Sequence, residues 1–181
     1  HTMAEAKVVK ILSQEMTFSL ATENAMEMFD LVDVWPEEVD AQLDGFPKEP
    51  SEKDCAGRKD LTGLPFITID GADARDFDDA VLVQKEGKGF RLSVAIADVS
   101  HYVTPFSALD IEAQARGTSV YFPRRVVPML PEALSNGLCS LVPQQKRLVL
   151  VCEIVFDHKG RPLKKDFYQG VIYSHARLTY S

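Results

Sequence analysis

Apolar residues recur at helical spacing near one end of this chain and gather in short runs through the rest. Leu20, Ala25, Met28, Phe29 and Leu31 predict a helix over residues 19–31, with its methionines packed into a core. Trp35-Pro36-Glu37-Glu38-Val39 predicts a second helix, with Pro36 at the first position, where a missing N–H is not needed. Residues 45–63, rich in proline, lysine and acids, predict an extended connector and a domain boundary. The apolar runs beyond it, at residues 64–69, 80–83, 90–103 and 147–156, predict strands. The last is nearly all apolar and β-branched, as a central strand covered on both faces would be. Glu86-Gly87-Lys88-Gly89 and Asp157-His158-Lys159-Gly160 predict hairpin turns, the second leading into a partner strand that ends near residue 174. Ser107 with Asp110 predicts a capping box, and Gly117 closes the helix that it opens. Residues 131–137 add one short helical stretch. The fold class expected is α+β, with a mixed, largely antiparallel sheet and flanking helices.

Between the first two of these strands the pattern changes character. Residues 69–80 carry five acids, Asp70, Asp73, Asp76, Asp78 and Asp79, against the single Arg75. Two carboxylates about 4 Å apart repel by roughly 4 kcal/mol at an effective dielectric near 20. A fold tolerates that when a cation offsets it, and oxygen-only ligands suit a hard divalent ion. Asp70, Asp76, Asp78 and Asp79 are the candidate ligands. In extended chain Asp76 and Asp78 share a face and Asp79 points away, so the backbone must turn or bulge for Asp79 to join them. The same acids also read as a solvated turn, because aspartate is a common turn former. An EF-hand is excluded: counting from Asp70, position six is Arg75 rather than glycine, and position twelve is Val81 rather than glutamate. Asp98, inside an apolar run, reads either as a fifth acid at the site or as a buried carboxylate satisfied by backbone donors.

Composition sets the outer limits. At 181 residues and 45% hydrophobic, the chain supports one ordinary domain, or one domain with a flanking piece. A net charge of −7 argues against a freestanding nucleic-acid binder, whose footprint is usually basic. A nuclease stays open, since a cation-loaded acidic site meets phosphate when basic modules elsewhere supply affinity. Cys55, Cys139 and Cys152 are too scattered for a zinc site or disulfide framework, and the last two read as small buried filler. No signal peptide and no apolar run of about 18 residues is visible, which predicts a soluble, cytoplasmic protein with no membrane partner. His1-Thr2-Met3 reads as a cloning remnant.

Thr68-Ile69-Asp70-Gly71-Ala72-Asp73-Ala74-Arg75-Asp76-Phe77-Asp78-Asp79-Ala80-Val81 resembles the catalytic signature of the ribonuclease II superfamily, the RNB-type exoribonucleases, and most of all its ribonuclease R branch. Five further blocks follow in the family's order: Val94-Ala95-Ile96-Ala97-Asp98-Val99-Ser100, Gly117-Thr118-Ser119-Val120-Tyr121-Phe122-Pro123, Val127-Pro128-Met129-Leu130-Pro131, Leu134-Ser135-Asn136-Gly137-Leu138-Cys139-Ser140-Leu141 and Ser174-His175-Ala176-Arg177-Leu178-Thr179-Tyr180. The resemblance runs strongly from residue 56 to the end.

It implies a processive 3′→5′ exoribonuclease that hydrolyses single-stranded RNA from its 3′ end and releases 5′-mononucleotides. It also implies that Asp70, Asp76, Asp78 and Asp79 bind magnesium or manganese, that Asp78 is the most essential acid, and that Tyr121 stacks on a base. Two ions held by such carboxylates would serve in-line displacement, activating a water and stabilising the leaving 3′ oxygen. Arg124 and Arg125 read as a solvated pair, with contact to phosphate as the alternative. Domains are expected at residues 1–12 (remnant plus the last strand of a cold-shock domain), 13–55 (helical segment and linker) and 56–181 (N-terminal portion of the catalytic domain). The cold-shock and C-terminal OB-fold modules of the family are expected to be missing, and the piece alone to be inactive. The alternative is a non-catalytic binding module in which the same acids hold a metal for stability only.

Overall fold

In the computed structural model, which describes residue 7 and residues 17–180, the first helix begins where the Thr17 side chain accepts the Leu20 N–H at 3.2 Å. This helix, α1 (Phe18–Met28), buries Leu20 and Met26 but leaves Met28 and Phe29 exposed, so only one of its methionines is core. Helix α2 (Glu37–Asp44) starts one residue later than expected, with Pro36 as its cap rather than its first residue. Its buried Val39 joins the main core. The stretch read as an extended connector contains α3 (Glu52–Cys55), opened by a full capping box between Ser51 and Asp54, and the short strand β1 (Lys59–Asp60). The capping signal was present in Ser51 and Asp54, but the surrounding prolines and charges masked it. The strand expected within residues 1–12 lies outside the described residues, apart from Lys7.

The strands that follow are β2 (Phe66–Asp70), β3 (Asp79–Glu86) and β4 (Gly89–Ala97). A two-residue loop joins β3 to β4, and its first residue, Gly87, has φ 57°, a value that glycine adopts without strain. β4 ends earlier than its apolar run does: Asp98 leaves the strand and Val99–His101 forms one 3₁₀ turn. Helix α4 (Ala108–Arg116) is capped by Ser107, which accepts the Asp110 N–H at 3.2 Å. The reciprocal half of the expected box is absent, because Asp110 Oδ2 accepts the Phe106 N–H instead. A small hairpin of β5 (Val120–Phe122) and β6 (Arg125–Val127) comes next, then a π-type turn at Ala133–Leu138. Finally come β7 (Lys146–Phe156) and the 18-residue β8 (Pro162–Thr179), which runs past the end expected for it.

Pairing closes these strands on themselves. The neighbours run β2–β3–β4–β7–β8, and β8 returns to pair with β2. All contacts in this ring are antiparallel except β2–β8, which is parallel. β8 can do this because of its length: residues 162–173 pair with β7, while Ser174 and residues 176–179 pair with β2. Closure removes the open edges that a flat sheet would present. Alternation puts Phe66, Thr68, Ala80, Leu82, Ala95, Ala97, Val149 and Val151 on the buried side. Phe66 and Ile172 are fully buried, each worth roughly 1.5–3 kcal/mol.

The outer side differs from the expectation of a strand covered on both faces. On β7, Leu150 is 43% exposed and residues 152–156 are half-buried, so Cys152 is not core filler, whereas Cys139 is buried. The structure also settles the reading of Asp98. Only 2% exposed, it pairs with Arg58 at 2.7 Å and accepts the Ser100 hydroxyl at 2.6 Å. It is a buried carboxylate held by side chains, not by backbone donors, and it does not join the other acids.

Candidate active site

Asp70 is the last residue of β2 and Asp79 the first of β3, so the acidic turn bridges two antiparallel neighbours in the ring. Burial shows how the turn presents its acids. Phe77 and Ala80 are both buried while Asp78 and Asp79 between them are exposed. Strict alternation would bury one of those aspartates. Both lie at or just before the start of β3, where the ladder with β4 stays regular: Asp79 pairs with Ile96, and the Asp78 carbonyl accepts the Ala97 N–H at 2.9 Å.

The turn is held by groups far away in sequence. Asp70 Oδ1 accepts the Gly71 N–H at 2.8 Å, and Gly71 O accepts the Ala74 N–H at 3.1 Å. From β8, Arg177 Nη2 donates to Gly71 O at 3.0 Å and also to Ala72 O, while its guanidinium lies 5.0 Å from the Phe77 ring centre. The buried Ser140 hydroxyl accepts the Phe77 N–H at 3.0 Å and donates to Arg75 O at 2.9 Å. Neither Arg177 nor Ser140 stood out in the sequence as a site residue. Each works through a contact between segments at least 63 residues apart, which no local pattern signals.

The charges of the neighbouring aspartates are felt at Asp78. The Asp78 carboxyl is held above its ordinary range, first by burial, then by the charges of Asp76, Asp79 and Asp70. Asp78 keeps exposed surface, so its carboxyl is crowded by protein rather than sealed from water. Among the described residues, no three His, Cys, Asp or Glu side chains form a ready-made metal cage. The donor set still fits a small hard cation. Magnesium takes one or two carboxylates and fills the rest of its shell with water and phosphate oxygens, so the acids need a common field more than a closed cage.

Tyr121, on the β5–β6 hairpin, faces the same turn. Its ring is 68% exposed, and its hydroxyl donates to Asp76 Oδ2 across a long 3.5 Å. Burial and the Asp76 charge raise the pKa of its phenol. A cleft of about 760 Å³ opens there, lined by Asp76, Tyr121, Arg124, Arg125, Ser135 and Asn136 among others. Of the four aspartates, only Asp76 lines it. Arg125 forms an ion pair with Asp33 in which both side chains stay partly exposed.

Residues 58–181 match the RNB domain family model. Ribonuclease R of Escherichia coli (strain K12) is 53% identical over 181 residues, which is 99% of this chain but 22% of that protein. The chain therefore spans about a fifth of the length of this relative. Among solved structures, Mycoplasma genitalium RNase R in complex with double-stranded RNA superposes with TM-score 0.84 and 42% identity, covering 90% of this chain and 29% of the other. Yeast Ssd1, described as a pseudonuclease, shares the fold alone, at TM-score 0.66 and 21% identity over 74% of this chain and 17% of its own. The α+β fold read from the pattern of runs and the resemblance read from the acidic turn thus agree with independent comparison, and this chain belongs to the RNB domain family.

Proposed function

We propose that the protein carrying this chain is a processive, hydrolytic 3′→5′ exoribonuclease that takes the 3′ end of single-stranded RNA and releases 5′-mononucleotides. The observation that carries this reading is the acidic turn itself, which runs from Asp70 at the end of β2 to Asp79 at the start of β3, is held by Ser140 and Arg177, and has the Tyr121 hydroxyl on Asp76. RNA as the substrate is supported by relatives of the ribonuclease R name and by the RNA bound in the Mycoplasma genitalium structures. Asp70, Asp76, Asp78 and Asp79 would hold magnesium, with manganese as a substitute. When bound, two such ions would supply Lewis-acid stabilisation of the charge that builds up on the reacting phosphate and the leaving 3′ oxygen. The chain's own part is to keep four carboxylates in place on the rim of a closed ring of strands and to offer Tyr121 as a stacking surface. As part of the same proposal, we place its site of action in the cytoplasm. Among the described residues, no helix is long and apolar enough to cross a membrane.

The fold by itself does not distinguish an enzyme from a non-catalytic module, since yeast Ssd1, described as a pseudonuclease, shares it. The four acids favour the enzyme. A 3′-directed ladder of a labelled oligoribonucleotide tests this: the full-length protein with magnesium is expected to run it steadily down to mononucleotides. Calcium stabilisation of that protein with no nuclease activity would support the non-catalytic module. The 181-residue chain alone is expected to degrade RNA little or not at all, and steady laddering by it would contradict that.

Stacking of a base on an aromatic is worth roughly 1–3 kcal/mol and tolerates any sequence, as a degrading enzyme needs. Tyr121→Ala in the full-length protein is therefore expected to raise KM for a short oligonucleotide by about 5- to 150-fold. Tyr121→Phe, which keeps the ring, is expected to stay near the wild-type value. Steady-state kinetics on one oligonucleotide checks both.

A further inference from the structure

Building on the cation-binding reading of the aspartates, we infer that Ser140 is a positioning residue whose hydroxyl sets how tightly the site takes a divalent cation. Each peptide unit is planar, so fixing the planes on either side of a Cα fixes that residue's φ and ψ. Ser140 Oγ donates to Arg75 O at 2.9 Å, which pins the plane before Asp76. The same oxygen accepts the Phe77 N–H at 3.0 Å, which pins the plane after it. Leu141 N–H then donates to Phe77 O at 2.8 Å, holding the plane that leads into Asp78. Ala97 N–H, at the end of β4, donates to Asp78 O at 2.9 Å and holds the plane that leads into Asp79.

Four consecutive peptide planes, spanning Asp76, Asp78 and the approach to Asp79, are thus each held by one hydrogen bond from outside the turn. One hydroxyl supplies two of the four. Ser140 is itself fully buried, and its carbonyl accepts Arg147 Nε at 2.8 Å. Arg147 is 3% exposed and places a second nitrogen on Lys146 O at 2.9 Å. The clamp on the turn is therefore anchored to the start of β7, across the ring from β3.

Carboxylates that repel one another stay converged only if their backbone cannot relax. Alanine at position 140 would free both planes at Asp76 and leave the Arg75 carbonyl and the Phe77 N–H without that partner. Cation affinity should fall by about the worth of two ordinary hydrogen bonds, roughly tenfold or more. The test is Mn2+ binding to the full-length protein without RNA, read from the paramagnetic resonance signal of free Mn2+. Ser140→Ala is expected to weaken binding about tenfold, and Ser140→Thr, which keeps the hydroxyl, to recover most of it. Val39→Ala, a buried truncation on α2, serves as the control for general loosening and is expected to leave affinity unchanged. Wild-type affinity in Ser140→Ala, or an equal loss in Val39→Ala, would overturn the inference. If Ser140→Ala does not fold, Ser140→Cys carries the test, since a thiol of similar size is the weaker hydrogen-bonding group; unchanged affinity there would overturn it equally. A wild-type protein that binds no Mn2+ would overturn the cation-binding reading itself, whereas wild-type binding matched by Ser140→Ala would overturn the positioning role alone.

Discussion

Asp78→Asn in the full-length protein is expected to abolish RNA cleavage and leave RNA binding nearly intact. Asparagine keeps the size and one oxygen but removes the charge at the carboxyl that feels those of Asp76, Asp79 and Asp70. If the lost stabilisation of the reacting phosphate is about 4 kcal/mol, the rate falls by about a thousandfold. Single-turnover cleavage and equilibrium RNA binding, measured on the same preparation, separate the two effects. A comparable loss of binding would mean that Asp78 is structural.

The same substitution carries a signature of stability in the absence of metal. Folding raises the Asp78 pKa above its ordinary 3.8, through burial first and then through Asp76, Asp79 and Asp70. The folded state thus holds this proton more tightly than the unfolded one does. That contribution to stability is complete below pH 3.8 and is lost as pH rises through the folded-state value. At neutral pH the ionised carboxylate works against the fold, so Asp78→Asn should melt higher than wild type in chelator. The difference should shrink as the pH approaches 3.8. Magnesium should reverse the order by stabilising wild type more. Melting curves at several pH values, with and without magnesium, check these signs.

Arg58→Ala is expected to produce the largest loss of stability. Arg58 and Asp98 pair at 2.7 Å with side chains 5% and 1% exposed, and Arg58 Nε also donates to Asp54 O at 3.0 Å. Removing one partner of a buried pair leaves the other charge stranded and costs about 3–5 kcal/mol. For a chain of this size that corresponds to a fall in Tm of roughly 6–20 °C. Replacing both, as Arg58→Met with Asp98→Leu, should return much of the stability, because a well-packed apolar pair avoids the desolvation of two ions. Denaturant titration of wild type, single and double variants checks this. A loss below about 1 kcal/mol for Arg58→Ala would show the pair to behave like one at the surface. The corner also matters to the site. Asp98 follows Ala97, whose N–H holds the Asp78 carbonyl, and the Asp98 N–H is itself held by Leu148 O at 3.0 Å.

What could be read in the sequence was what depends on near neighbours. The runs that became β2, β3, β4 and β7 show in their apolar residues, and the β3–β4 hairpin shows in Gly87. The acids could be picked out because five of them crowd a turn between two apolar runs. The errors have a common physical source: they lie where a distant partner decides. Asp98 was ambiguous because its partner Arg58 is 40 residues away. β8 was cut short because its last residues are recruited by β2, a parallel pairing between segments roughly a hundred residues apart that no local period announces. Ser140 was invisible as a site residue because its bonds to Arg75 O and Phe77 N span 65 and 63 residues. Met28 misled because an apolar residue at helical spacing need not face the core, and here it faces outward.

The most direct test of a divalent-cation site among these aspartates is an anomalous difference map from crystals of the full-length protein grown with Mn2+. The account predicts a peak among the carboxylates of Asp70, Asp76, Asp78 and Asp79, with oxygens from at least two of them as ligands. Well-ordered aspartates turned away from one another, with manganese elsewhere or nowhere, would contradict it.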